Sequence, residues 1–484
     1  MGRDSDKLSD QPVAVNGMLQ IFNTRTRRME PFEPTDPKAV GIYVCGVTVY
    51  DDCHLGHARM LVVFDMVVRY LRQAGYGVRY VRNLTDIDDK IIRRAIELGE
   101  PVDRLTRRLI DRFHEDQKAL GIAPPDVEPC ATEHIEAMIR LIERLWDRGV
   151  AYSGGNGDVY FRVDRFPTYG TLSGRRLEEL RAGSRIGIDE TKADPLDFVL
   201  WKAAKPNEPA WPSPWGKGRP GWHIECSAMS MTHLDLPIDI HGGGQDLEFP
   251  HHENEVAQSE AATGQPFVRY WIHNGFVQVG QDKMAKSQGN FMTIREALTR
   301  YDRETLRFWL LASHYRSPVT FSTENLAQAR FSLERLYLAL RGLGESGSAD
   351  PAALAPWQSR FAIAMDDDFN TPDALAVLFD LVRDINRVRT GDLERARHLG
   401  QGLRELARVF GFLESDPEAF LKGVGGGVAD DWIEERMRER QQAREAGQYA
   451  EADRIRQQLL DAGILVEDGP GKQARWRRRP SILS

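Results

Sequence analysis

The sequence predicts an α/β protein. A doubly wound parallel sheet is interrupted by an insertion, then followed by helices and a small α/β end. Three observations carry that expectation. A strand–helix–strand pattern runs from Gly41 to about Asp89, the size of half a doubly wound sheet. Strand pattern resumes after Gly221. Beyond Ile294 helical periodicity dominates.

Residues 41–44 read as the first strand, because Ile42, Tyr43 and Val44 are strand formers bracketed by Gly41 and Gly46. Residues 58–73 read as a helix, with apolar side chains at Leu61, Phe64, Val68 and Leu71. Between them lies His54-Leu55-Gly56-His57. A strand that empties through a glycine-bearing turn into a helix N-terminus outlines an anion site, since free N–H groups and the helix dipole face it. Cys45 sits at the end of the same strand, where ligands bind in open α/β sheets. The next strand, 78–83, ends in a polar run through Lys90. At least one of Asp86, Asp88 and Asp89 suits the cap of a helix over 90–96, and Thr85 or Asp86 also suits a ligand contact.

Helical periodicity continues over 102–120 and 133–146, separated by Pro124-Pro125. Over 150–163 the period becomes two, with Gly154-Gly155-Asn156-Gly157 as a hairpin turn. The stretch 171–189 is polar, and 195–201 and 206–221 read as irregular, so 124–220 reads as an insertion. Ile238-Asp239-Ile240 is a short strand ending in His241-Gly242-Gly243-Gly244, and Pro250 starts a helix at His251. A strand at 275–279 runs into a polar loop, 281–287. Thr371-Pro372 marks a helix start, and 423–427 reads as a flexible linker. Helices at 431–446 and 449–460, a strand at 464–467 and the basic run Arg475-Trp476-Arg477-Arg478-Arg479 complete the chain.

The 484 residues suffice for several domains, and 41% hydrophobic with 28% charged residues suits a soluble globular protein. No run approaches the ~18 apolar residues of a membrane span. The polar first seventeen residues lack the apolar core of a secretory signal. Four scattered cysteines argue for a reducing cytosol and against a disulfide framework. The net charge of −8 lends no support to nucleic-acid binding, which would need a local basic face.

Two groups of residues carry chemistry. His251 and Glu255 are four apart, and His252 and Glu255 three apart; either pair shares a helix face. With Cys45 and Cys226 such a pair makes an acceptable tetrahedral zinc set, although both cysteines also suit roles as small buried apolar residues. A rival set of Cys45, Cys53, His54 and His57 fits less well, because two histidines in a tight turn serve better as donors to an anion. Lys283 and Lys286, with Ser287 beside them, lie between Gly280 and Gly289. Two ammonium groups there suit a transferring phosphate chain, and equally a solvated loop.

The two lysines and the two histidines together, over two hundred residues apart, resemble the paired H-I-G-H and K-M-S-K-S motifs of the class I aminoacyl-tRNA synthetases. Four further segments are similar to the cysteinyl-tRNA synthetases within that class. They are Tyr43-Val44-Cys45-Gly46-Val47-Thr48-Val49-Tyr50-Asp51, Arg82-Asn83-Leu84-Thr85-Asp86-Ile87-Asp88-Asp89-Lys90, Gly221-Trp222-His223-Ile224-Glu225-Cys226-Ser227 and Phe249-Pro250-His251-His252-Glu253-Asn254-Glu255. The resemblance covers the chain from about residue 18. Leu55 stands where isoleucine is common and Ala285 where serine is usual, so a loop hydroxyl is missing while both histidines and both lysines are kept.

The resemblance implies a Rossmann-type catalytic domain with a connective insertion, a helical bundle and a small C-terminal α/β anticodon-binding domain. The expected boundaries are a disordered tail over 1–17, catalytic halves over 18–123 and 221–293, and the insertion over 124–220. They continue with a stem-contact helical region over 294–345, a tRNA-binding bundle over 346–422 and the anticodon-binding domain over 423–484. It implies zinc on Cys45, Cys226, His251 and Glu255, which selects His251 over His252. It implies ATP, with magnesium, at Gly46, Thr48, His54, Gly56, His57, Lys283, Lys286 and Ser287. His54, His57, Lys283 and Lys286 are the expected catalytic residues, and Thr85, Trp222 and His241 surround the substrate L-cysteine. The expected activity is formation of cysteinyl-adenylate and transfer to the 3′ end of tRNA(Cys), by a cytoplasmic monomer that touches no membrane. Zinc serves selection, because shape alone rejects a near-isostere such as serine only ~100-fold, whereas zinc prefers a soft thiolate. Ligases that join activated cysteine to an amino sugar resemble the same core; residues 366–374 and the basic run 475–479 favour tRNA.

Overall fold

The structure is a computed structural model that describes residues 17–176, 191–206, 208–284, 289–344, 350–423, 428–468 and 474–479. The expected tail up to Asn16, much of the polar stretch 171–189, Ala285, Lys286 and Ser287, and linker residues 424–427 lie outside them. The chain divides into two compact units. One comprises Met1–Arg303, Ser313–Thr320 and Ala362–Pro372; the other comprises Glu304–Ala312, Phe321–Phe361 and Asp373–Ser484. Among the described residues, no helix is long and apolar enough to cross a membrane.

The first unit is built on β1 (Val40–Thr48), α1 (Leu55–Gln73), β2 (Val78–Thr85), α2 (Trp222–His233), β3 (Ile238–Gly244), α3 (Glu253–Thr263) and β4 (Val268–Asn274). The four strands form one parallel sheet in the order β4-β3-β1-β2. The chain leaves β1 toward β2 on one side and returns to β3 on the other. That reversal between β1 and β3 makes a crevice at their carboxyl ends, the place where open α/β sheets bind ligands. Both strands are buried on both faces, which is why they read as short apolar runs. Beyond β4, a hairpin of β5 (Val277–Val279) and β6 (Asp282–Lys283) pairs in parallel with β7 (Val319–Thr320).

Three expectations need correction. Residues 198–203 and 218–220 are not irregular: Phe198–Ala203 and Gly218–Pro220 join Ala151–Ser153 and Val159–Phe161 in a four-stranded antiparallel sheet. Tryptophans and prolines hide the period there, yet Phe198, Leu200 and Trp201 are buried in the same core as β1 and α2. The strand expected over 275–279 is only Val277–Val279, and β4 before it was not expected. The helix expected from His251 begins at Glu253, because Phe249 holds an extended conformation inside the preceding turn.

The second unit is largely helical and ends in a small α/β piece. Its helices Asp430–Glu445 and Tyr449–Asp461 pack Ile433, Met437, Ile455 and Leu459 against Ile464 and Trp476 of an antiparallel pair, Ile464–Asp468 with Ala474–Arg478. The basic run is therefore a strand and not a solvated tail. Arg477 pairs with Glu334 and Glu467, and Arg478 with Asp430. Glu334 is buried, so Arg477→Ala should lower the stability of this unit by about 2 kcal/mol, the worth of a charged hydrogen bond to a buried group. Urea unfolding measured beside the parent chain checks it.

Candidate active site

The histidine turn starts α1 three residues earlier than periodicity suggests, because the two imidazoles make the cap. His54 Nδ1 accepts from the Gly56 N–H at 3.0 Å, and His57 Nδ1 accepts from the His54 N–H at 3.1 Å. The rings lie 4.0 Å apart between centroids. Imidazole is not a usual capping group, so this helix start carried no familiar signal. The cap also fixes the tautomer. With both Nδ1 atoms accepting, each neutral ring carries its proton on Nε2 and offers an N–H donor at a helix N-terminus. Gly56 leaves the room for this: a Cβ there would lie 2.7 Å from His54 Cε1.

Gly46 forms a bulge in β1, where a Cβ would meet the Asn83 carbonyl oxygen at 1.7 Å, and its N–H donates to Asn83 Oδ1 at 2.9 Å. The bulge lets Cys45 and Thr48 finish the strand beside β2, with Thr48 opposite Thr85. Asp88, of the three aspartates considered, caps the next helix by accepting from the Lys90 N–H. Asp86 accepts from Thr132, and Thr85 donates to Glu225 at 3.0 Å.

At the crevice between β1 and β3 the ligand atoms of Cys45, Cys226, His251 and Glu255 all lie within 4.8 Å of one another. They come from β1, α2, the turn before α3, and α3. The four residues are 3, 2, 1 and 0% exposed. His251 Nε2 lies 3.1 Å from Glu255 Oε1, and Cys45 Sγ 3.3 Å from the same oxygen. Glu255 Oε2 is buried without a hydrogen-bond partner, although His241 Nε2 is 3.5 Å away. Among the described residues, the ion-pair partners of Glu255 are all histidines. Burial pushes the thiols of Cys45 and Cys226 and the Glu255 carboxyl up, and the His251 imidazole down. A divalent cation reverses that preference by favouring thiolate, carboxylate and neutral imidazole together. Two sulfurs, a nitrogen and an oxygen suit zinc, so the residues fit the expected metal.

A second set of donors overlaps the first: Cys45, His241, His252 and Glu255 also lie within 4.8 Å of one another. His241, expected beside the amino acid, thus lies against this cluster, 3.6 Å from Cys45 Sγ. Trp222, also expected there, is partly exposed and its ring lies 4.2 Å from that of His251. Sequence reasoning assigned no role to His223, which meets His251 Nδ1 at 3.0 Å. Nor did it assign one to His273, which meets His252 at 2.7 Å. The pairing of a buried ligand histidine with a further polar group was the available signal.

The lysine side of the site is partly described. Lys283 on β6 pairs with Asp246 at 2.8 Å and lies 4.5 Å over the Phe276 ring. Asp246, just past β3, was also not expected. Lys286 and Ser287 lie outside the described residues. After the loop the chain returns to the histidine turn: the Leu55 N–H donates to the Met292 carbonyl, and the Ile294 N–H to that of Cys53.

This sheet, with its histidine turn and lysine hairpin, is the catalytic fold of the class I aminoacyl-tRNA synthetases. A solved Mycobacterium tuberculosis methionyl-tRNA synthetase bound by methionyl-adenylate matches it with a TM-score of 0.58, over 82% of this chain and 95% of that one, at 18% identity. Residues 31–331 match the model of the tRNA synthetases class I (C) catalytic domain, 360–414 the DALR domain, and 433–477 the cysteinyl-tRNA ligase anticodon binding domain. Curated relatives named cysteine–tRNA ligase, from Thioalkalivibrio sulfidiphilus and Alkalilimnicola ehrlichii, are each 59% identical over 95% of this chain and their full length. One from Pseudomonas aeruginosa is 55% identical over 95% of this chain and 99% of its own. The chain belongs to the cysteinyl-tRNA ligase family.

Proposed function

We propose that this chain activates L-cysteine with ATP to cysteinyl-adenylate and transfers the cysteinyl group to the 3′ end of tRNA(Cys). The observation that carries this reading is the meeting, on β1 and the turn after it, of a buried, thiol-bearing cluster of potential metal ligands with an imidazole-capped helix start. One suits selection of a sulfur-bearing amino acid and the other suits a phosphate chain.

His54 and His57 hold Nε2–H donors where negative charge develops on the α-phosphate as the cysteine carboxylate attacks it. The N-terminus of α1 adds its dipole to the same place. Lys283, and Lys286 beyond it, neutralise the β- and γ-phosphates as pyrophosphate leaves; the polyphosphate must displace Asp246 from Lys283. Gly46, Thr48, Gly56 and Ser287 belong to the ATP side. Thr85, Trp222 and His241 belong to the cysteine side. No enzyme nucleophile is needed, since positioning and electrostatics suffice.

Cys45, Cys226, His251 and Glu255 would hold zinc, and zinc bound there supplies a soft centre that distinguishes a thiolate from a hydroxyl. The set with Cys226 is favoured over the one with His241 and His252 because it brings a second thiol, a softer zinc ligand than the imidazole it replaces. Because burial pushes both thiols up from an ordinary value already above neutrality, metal binding must release protons, so zinc affinity should rise with pH across the neutral range. Calorimetry in buffers of different ionisation enthalpy should show net proton release. Uptake or no exchange would contradict the assignment.

The second unit would carry the anticodon-binding domain (423–484) and most of the stem-contact region (294–345) and tRNA-binding bundle (346–422), whose stretches 294–303, 313–320 and 362–372 fall in the first unit. The catalytic halves (18–123 and 221–293) and insertion (124–220) make up the rest of the first. A cytoplasmic location accords with four free cysteines, and a monomer that touches no membrane completes the reading. The test is cysteine-dependent exchange of pyrophosphate into ATP, run with cysteine and serine side by side, followed by charging of tRNA. Absence of exchange would refute the proposal, and exchange without tRNA charging would refute its second half.

A further inference from the structure

Arg59 lies two residues beyond the histidine turn, inside α1, and is 0% exposed. No carboxylate accompanies it among the described ion pairs. Its Nη2 donates to three backbone carbonyls, those of His314 at 2.9 Å, Tyr315 at 3.1 Å and Ser317 at 3.2 Å. Nε and Nη1 are buried without hydrogen-bond partners. A cation buried on carbonyl dipoles alone costs stability that an apolar side chain of equal volume would not. Packing therefore does not explain it. What it holds does.

The carbonyls belong to the segment that leads directly into β7. β7 pairs with β5, with Val277 opposite Val319 and Gln278 opposite Thr320, and β5 pairs with β6, with Gln278 opposite Lys283. The same segment receives the Gly275 N–H on the Tyr315 carbonyl, immediately before β5. A continuous chain of hydrogen bonds thus runs from α1 through 314–317, β7 and β5 to the backbone of Lys283. On the far side of the loop, Met292 and Ile294 bond directly to Leu55 and Cys53. Both flanks of the lysine segment are pinned to the start of one helix, the entry flank through Arg59.

We propose that Arg59 is a positioning residue for adenylate formation, which sets Lys283 at a fixed distance from His54 and His57. This rests on the reading of Lys283 as a phosphate-neutralising group. Arg59 touches no reacting atom; it acts through the strand pair. A lysine at 59 could reach one or two of the three carbonyls with its single ammonium, whereas a methionine could satisfy none.

The test is steady-state pyrophosphate exchange with Arg59→Met, Arg59→Lys, Lys283→Ala and the double variant Arg59→Met/Lys283→Ala, with melting temperature and KM for cysteine measured for each. Arg59→Met should lower kcat by about 100-fold, the cost of displacing a positioned group by about 1 Å, with KM for cysteine within about twofold of the parent chain. Arg59→Lys should recover part of that loss. The double variant should fall little below Lys283→Ala alone, since the two act through one group. Losses that multiply, or a fall in cysteine affinity in step with melting temperature, would make Arg59 a structural residue only. If Arg59→Met does not fold, Arg59→Lys alone decides by the same non-additivity with Lys283→Ala. If Lys283→Ala keeps full exchange, the reading of Lys283 fails first and the inference with it. If only Lys283→Ala is impaired, the inference fails and that reading stands.

Discussion

Cys226→Ser should purify with little zinc and lose most of its preference for cysteine over serine. The serine hydroxyl is a hard, weakly acidic donor in place of a thiolate, and Cys226 is buried away from bulk solvent. Three ligands would remain, among them a Glu255 that keeps one oxygen unpartnered. Without the soft centre, discrimination should collapse toward the ~100-fold that pocket shape supplies against a near-isostere. KM for ATP should change far less, because Cys226 sits on α2 in the metal-ligand cluster, whereas the histidine turn starts α1 and Lys283 lies on β6. Metal content by emission spectrometry and paired exchange rates with cysteine and serine read the two parts separately. A Cys226→Ser protein with full zinc would reassign the metal to the overlapping set through His241 and His252. The companion variants His241→Ala and His252→Ala would then lose it instead.

His57→Ala should lower kcat for cysteine-dependent exchange by about 10²- to 10³-fold, the usual cost of removing one donor aimed at developing charge. Part of the loss comes from the cap. The His54 N–H would lose its acceptor at 3.1 Å, worth roughly 1 kcal/mol of helix stability. Thermal melting isolates that part, because a cap lost at one helix end shifts stability without approaching a thousandfold rate effect. A His57→Ala enzyme with kcat within tenfold of the parent would remove this histidine from the catalytic set.

Much of this site was legible in the sequence because its strongest signals are local. The turn His54–His57, the thiol at Cys45 and the four-residue spacing of His251 and Glu255 each imply a face or an end of an element without reference to the rest of the chain. The same holds for the hairpin around Gly154-Gly155-Asn156-Gly157 and the helix start at Thr371. What the sequence concealed depends on contacts far apart in the chain. Arg59 reads as an ordinary helix arginine until residues 314–317 fold over it. Asp246 is one more loop carboxylate until β6 brings Lys283 to it. His223 gains meaning only when α2 brings it to His251, and His273 only when β4 brings it to His252. The strand Phe198–Ala203 was missed because β-pairing on both sides buries a mixed run of aromatic and basic residues that shows no clean alternation.

The pairing of β1 with β3 across the insertion has a consequence for the chain while it is being made. Cys45 and Cys226 are separated by about 180 residues. At the roughly 5–20 residues per second of protein synthesis, Cys45 leaves the ribosome on the order of 10–40 s before its partner thiol exists. β1, α1 and β2 can fold in that interval, but the strand that covers the other edge of β1 cannot yet be there. Metal capture therefore belongs to the late phase of synthesis, and until then one of the two thiols waits on a half-built sheet whose edge is open to the cell's metals and oxidants.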